Sequence, residues 1–324
     1  MAAQTLSSPR LGGILSPVIT PFTPSLDPDV PRFLRQCRWL LSNDVGLAVF
    51  GTNSEGNSLS VSERIDLLEA MAAAGLPMHR VLAGTGACSL TDAAAMTRAA
   101  TALGCGGVLM LPPFYYKSPS DDGLFRFFAE VVAASGARAP SIYLYHISGV
   151  ASVGFSLALI DRLLEAFAPV IRGIKDTGGD AGFTHTLLTR YAGASFDVFP
   201  GNETALVTFM EAGAAGCISA TANVNPAGLV ELVETYGSVG AHEAREKQAR
   251  ANDIRTALTR YPLIPALKAV LADAFDDEAL TRVRPPLMPL SAPQREALAN
   301  DLRRLAFRPP ALRPQDGIDV LEAV

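Results

Sequence analysis

A (β/α)8 barrel with a C-terminal helical appendage is the fold class this sequence predicts, on three observations. Short apolar runs alternate with helical patterns through the first two thirds of the chain. Each run is nearly continuous in its apolar character, as strands covered on both faces of a parallel sheet are. Successive runs start about 20–35 residues apart, room for a strand, a helix and two short loops. Eight runs qualify: 14–20, 46–52, 80–85, 107–111, 141–146, 171–175, 197–201 and 217–220. Strand–helix alternation of this length points to the barrel, while periodicity alone leaves a doubly wound open sheet as the alternative.

The intervening helices follow in order. Val30, Phe33, Leu34, Cys37, Leu40 and Leu41 share one face at helical spacing. Ser60 and Glu63 form a capping-box pattern ahead of Ile65, Leu67 and Leu68. Thr91 and Asp92 open an alanine-rich helix, and 124–134 gives another amphipathic stretch. After Pro226 the pattern is helical only, over 227–236, 241–260, 264–274 and 293–305. The expected organisation is an N-terminal tail (1–11), the barrel (12–225), a helical region (226–307) and a Pro-rich, loosely ordered tail (308–324).

Composition narrows the function. A net charge of −5 lacks the electrostatic footprint of a nucleic-acid binder. Mean hydropathy is +0.24, yet no apolar run nears the roughly 20 residues of a membrane span. The N-terminus has neither a basic nor an apolar leader segment, so a cytoplasmic location is expected. Cys37, Cys88, Cys105 and Cys217 lie far apart, which reads as reduced, buried thiols. The four histidines are equally scattered, with no metal-ligand spacing, and no cofactor is expected.

In a barrel, chemistry sits at the C-terminal ends of the strands. Among those ends Lys175 stands out, because the chain has four lysines against 23 arginines and this one closes an apolar strand. A dry barrel mouth disfavours an ammonium, and a neutral amine there can attack a carbonyl carbon. The alternative is a lysine leaning outward and paired with Asp176 or another carboxylate. Tyr145 ends the preceding strand, where its hydroxyl can relay protons to Lys175 or simply be a satisfied core aromatic. Thr52 and Asn53 end the second strand, suited to hold a carboxylate or to serve as ordinary turn residues.

With these residues in view, the sequence resembles the dihydrodipicolinate synthase/N-acetylneuraminate lyase family of Schiff-base aldolases and synthases. The resemblance runs from Gly12 to Pro226 and, more weakly, through the helical tail. It rests on GTNSEG at 51–56, YLYH at 143–146, GIKD at 173–176 and CISATAN at 217–223, in the family's order, with Lys175 thirty residues after Tyr145. The resemblance implies a metal-free mechanism in which Lys175 forms an imine with pyruvate or another 2-oxo acid. Tyr145 and Thr52 relay protons, and Tyr116 joins the relay from a neighbouring subunit of a homotetramer built from dimers. Thr52 and Asn53 bind the carboxylate, and Gly201 and Ile218 line the site with backbone.

Departures from the family pattern bear on the substrate. Val150 stands where dihydrodipicolinate synthases carry an arginine for the carboxylate of aspartate semialdehyde, and it cannot replace a guanidinium. Asn53, Ser54, His146 and Ser148 also depart from the synthase pattern, while Val61 and Arg64 replace the histidines tied to lysine feedback. KDTGGD at 175–180 is instead similar to hydroxy-oxoglutarate and keto-deoxy-sugar-acid aldolases. Cleavage of a 2-oxo-4-hydroxy acid to pyruvate and an aldehyde is therefore expected, with His146 at the distal part of the substrate or hydrogen-bonded behind it. The rivals are dihydrodipicolinate synthase activity, a metal-dependent aldolase and a non-catalytic 2-oxo acid binder.

Overall fold

Eight parallel strands wind in sequence order around one axis: β1 (Gly13–Ser16), β2 (Gly46–Val49), β3 (Val81–Gly84), β4 (Gly107–Met110), β5 (Ile142–His146), β6 (Ile171–Asp176), β7 (Asp197–Pro200) and β8 (Gly216–Ile218). The computed structural model describes residues 10–136, 139–191 and 195–316. The rest of both expected tails, 1–9 and 317–324, lies outside the described residues. From β1 to β7 each strand pairs with the next, and β1 also pairs with β8. The last seam, between β7 and β8, is bridged by the Ala215 N–H donating to the Val198 carbonyl at 3.1 Å. The Cys217 thiol crosses the same seam to the Pro200 carbonyl at 3.3 Å. A doubly wound sheet would reverse its strand order at a switch point; this one closes instead.

The strands are mostly shorter than the apolar runs that announce them. Pro17 has no N–H to extend β1, and Phe50, at φ 61°, turns the chain away after β2. Alternation along each strand divides two apolar layers. Leu15, Ala48, Leu82, Leu109, Tyr143, Tyr145, Phe199 and Ile218 fill the barrel interior. Ile14, Leu47, Val49, Val81, Val108, Leu144, Ile174 and Val198 face the helices.

The surrounding helices are α1 (Val30–Ser42), α2 (Val61–Ala73), α3 (Leu90–Ala102), α4 (Asp121–Ala134), the short α5 (Ser148–Ala151), α6 (Leu157–Phe167), α7 (Ala181–Tyr191) and α8 (Leu206–Glu211). Side-chain caps fix their starts: Asp29 for α1, the Ser60–Glu63 capping box for α2, Ser89 for α3, Ser120 for α4 and Ser156 for α6. The cap of α3 is thus Ser89, ahead of the Thr91–Asp92 start expected. The C-terminal helices are α9 (Pro226–Ser238), α10 (Ala241–Thr259), α11 (Leu263–Phe275) and α12 (Ala292–Arg304). Of these, α11 lies against the turn that follows β2.

Two expectations are corrected. The tail is packed as far as it is described: Arg313 donates to the Ser42 carbonyl at 3.0 Å, and the Pro314–Asp316 turn rests on α1. Of the four free cysteines, Cys37 and Cys217 are buried and Cys105 partly so, but Cys88 is exposed. Burial pushes the Cys105 thiol up to about 12 and the Cys217 thiol well above its ordinary value, which keeps both protonated. Among the described residues no helix is long and apolar enough to cross a membrane, and no three His, Cys, Asp or Glu side chains gather to hold a metal ion.

Candidate active site

Strand register decides which side chains meet at the barrel mouth. Tyr145 on β5 pairs with Lys175 on β6, so both project to the interior, while His146 and Asp176, one residue on, face the helices. Lys175 and Tyr145 are each 2% exposed. The Lys175 Nζ donates to the Tyr145 hydroxyl at 3.4 Å and lies 4.5 Å from the ring centroid. The Tyr145 hydroxyl also shares a 3.2 Å hydrogen bond with Thr52 Oγ1. Lysine and tyrosine from two adjacent strands and threonine from the turn after β2 thus form one continuous hydrogen-bonded path. Asp176 takes no part in it: its carboxylate accepts from the Gly178 N–H at 2.9 Å and from the Thr184 hydroxyl at 2.5 Å.

Thr52 sits in a tight turn made of two short 3-10 segments, Thr52–Ser54 and Gly56–Ser58, joined by Glu55 at φ 55°. A first helical turn leaves its leading N–H groups without an intrahelical acceptor, here those of Thr52 and Asn53. Asn53 is half-buried beside them. The turn is fixed from below by the Thr20 hydroxyl donating to the Ser54 carbonyl at 2.7 Å. Gly56 is required there, because a β-carbon would lie 2.6 Å from the Phe50 carbonyl carbon.

Across the mouth, the Gly201 N–H donates to the Asp176 carbonyl at 2.7 Å, which brings the end of β7 beside Thr177. Ile218 is fully buried in the interior layer. Beneath this side the buried Glu203 carboxylate accepts from the hydroxyls of Ser219 and Thr221 and from the Arg255 guanidinium at 3.2 Å. Its role is to hold the start of the β8–α9 connection rather than to meet a ligand.

Two expected residues stand elsewhere. His146 projects from the helix-facing side of its strand, opposite to Tyr145 and Lys175. Its Nδ1 accepts from the Phe155 N–H at 3.1 Å, and its ring lies 4.8 Å from that of Phe183. Glycines at 154 and 178 make room for that ring, since β-carbons there would come within 2.6 and 2.9 Å of it. Burial holds His146 below its ordinary value, against the opposing pull of Asp176. Of its two expected placements, the geometry matches the hydrogen-bonded one, in which His146 supports the β5–α6 loop. Tyr116 is 80% exposed and stacked edge-on against Tyr115 at 5.3 Å, away from Tyr145 within its own chain.

Sequence reasoning missed two features. Thr177, two residues beyond Lys175, has a buried hydroxyl with no hydrogen-bond partner, packed against the Gly201 backbone. Lys268 lies fully buried in the middle of α11 and pairs with Glu55 of the Thr52 turn. A lone lysine inside the apolar run LIPALKAVLADAF was the available signal.

The comparisons agree with this geometry. A model of the dihydrodipicolinate synthetase family matches residues 10–305. A Chloroflexus aurantiacus protein described as an uncharacterised DapA-like lyase is 34% identical over 306 residues, covering 93% of this chain and 98% of its own. A 4-hydroxy-tetrahydrodipicolinate synthase of Sorangium cellulosum is 30% identical, over 94% of this chain and 99% of its own. The crystal structure of dihydrodipicolinate synthase from Agrobacterium tumefaciens superposes with a TM-score of 0.82 at 29% identity, covering 91% of this chain and 99% of that one. With the barrel, the paired Lys175 and Tyr145 and a match over nearly its whole length, the chain belongs to the dihydrodipicolinate synthetase family and is a lyase of that family.

Proposed function

We propose that this protein reversibly cleaves a 2-oxo-4-hydroxy acid to pyruvate and an aldehyde through an imine on Lys175. The observation that carries the reading is the path from Lys175 Nζ through the Tyr145 hydroxyl to Thr52 Oγ1 inside a dry barrel mouth. The Lys175 amine adds to C2 of the oxo acid, and the oxygen of that carbonyl leaves as water after protonation through Tyr145. The resulting iminium draws electrons from the C3–C4 bond as Tyr145 accepts the proton of the C4 hydroxyl. The aldehyde departs, the enamine takes a proton at C3, and water releases pyruvate and the free amine. The Thr52 and Asn53 N–H groups and the Thr52 hydroxyl hold the substrate carboxylate, and the Thr177 hydroxyl faces the substrate chain.

Val150 supports a hydroxy-acid substrate over aspartate semialdehyde. It sits on α5 and is 68% exposed, with no charge to offer a second carboxylate. Tyr116, exposed and stacked on Tyr115, supports assembly of dimers into a cytoplasmic homotetramer in which each Tyr116 completes a neighbour's relay. Incubation with pyruvate, borohydride reduction and peptide mass spectrometry test the chemistry. The adduct is expected on Lys175 and lost in Lys175→Ala; an unmodified Lys175 at saturating pyruvate overturns the proposal. A panel of aldehydes then tests the acceptor, and robust turnover of aspartate semialdehyde would overturn the use made of Val150. Sedimentation of wild type and Tyr116→Ala tests the assembly.

A further inference from the structure

Glu55 is the hinge of the Thr52 turn, and its surroundings are more elaborate than a surface turn requires. Its left-handed backbone is unfavourable for a residue with a side chain, so something must hold it. One carboxylate oxygen pairs with Lys268 Nζ, and the other accepts from the Arg284 backbone N–H at 2.9 Å. Lys268 also donates to the Arg282 carbonyl at 2.6 Å and lies 4.6 Å from the centroid of the Phe22 ring. The Arg284 guanidinium covers the same ring at 4.9 Å and donates to Leu26, Ser58 and Glu63. The turn is thereby clamped between the barrel and the segment that follows α11. Neither Lys268 nor Glu55 reaches the Lys175 path, so the pair has no place in the bond-making steps.

We propose that Lys268, Glu55 and the Arg284 backbone are positioning groups that hold the Thr52–Asn53 turn in the shape that receives the carboxylate of a 2-oxo acid. The proposal rests on the reading of that turn given above. It makes the C-terminal helical region part of the binding apparatus, since α11 supplies the buried cation. Orphan N–H groups bind an anion well only when their directions are fixed before it arrives, and the clamp fixes them.

The test uses the full chain and the pyruvate concentration that gives half-maximal borohydride trapping at Lys175, read together with the maximal trapping rate. Lys268→Met leaves a buried carboxylate alone and risks misfolding. Glu55→Gln/Lys268→Met removes both charges at nearly constant volume, so the folded double variant carries the test. Its half-saturating pyruvate concentration is expected to rise roughly tenfold, with the maximal rate changed by less than about threefold. A purely structural role would lower the melting temperature without that split. Half-saturation within about twofold of wild type in the folded double variant, or a loss confined to the maximal rate, would overturn the inference. Failure of wild type to trap pyruvate at all would instead overturn the Schiff-base reading.

Discussion

Removing the cation from the buried clamp gives a stability change large enough to separate competing accounts. The side chains of Lys268 and Glu55 are both fully shielded from solvent. Lys268→Met keeps the aliphatic stem, so the packing loss is small. What remains is a carboxylate with one neutral backbone donor, and breaking a buried pair in this way costs about 3–5 kcal/mol. For a chain of this size that corresponds to a fall of roughly 6–10 °C in melting temperature, at about 2 °C per kcal/mol. Glu55→Gln in the same chain removes the stranded charge and is expected to recover most of the loss. The pH dependence adds a sign. Burial pushes Lys268 down to about 8 from its ordinary 10.5, although Glu55 pulls it upward. Between those values the unfolded chain binds more protons than the native one, so this group makes stability rise with pH across that window. Calorimetry or denaturant titration of wild type, both single variants and the double variant measures the cycle. A Lys268→Met protein within about 1 kcal/mol of wild type, or a double variant weaker than either single one, would refute the reasoning.

Other outcomes follow from the same geometry. Tyr145→Phe removes the hydroxyl between Lys175 and Thr52; rapid-quench borohydride trapping should show imine formation slowed by about 10²-fold, with melting shifted by no more than about 1 kcal/mol equivalent. Hydrogen bonds from Arg284 hold Glu63 down to about 2 from its ordinary 4.5. Its contribution is therefore complete above pH 4.5 and lost as pH falls toward 2, and acid titration of Glu63→Gln should lack that component. Gly201→Ala places a methyl group on the Thr177 hydroxyl and 2.7 Å from its β-carbon. Denaturation should report a loss of about 1–3 kcal/mol from overpacking, and pyruvate trapping should weaken as Thr177 is displaced.

Much of this was legible in the chain because parallel strands covered on both faces write themselves as apolar runs. Lys175 was legible for the same reason, as a rare cation ending such a run. The ends of the strands were less so: Pro17 and the left-handed Phe50 stop the ladders several residues before the apolar character fades. His146 follows Tyr145 directly, so strict alternation on β5 already separates the two faces they occupy. Lys268 lies 213 residues from Glu55, and nothing local to either residue marks the other as its partner. Cys88 is exposed because it sits in the loop before α3 rather than in an apolar run.

The bond between Glu55 and the backbone of Arg284 spans 229 residues of sequence. During synthesis every strand leaves the ribosome before α11 does, and domains begin to assemble as they emerge. A nascent chain can therefore close its sheet around Lys175 while the turn proposed to receive the carboxylate is still unbraced. The final braces arrive only after the whole sheet has emerged, so a fragment stalled before α11 would carry the proposed nucleophile yet lack a firm grip on what it attacks.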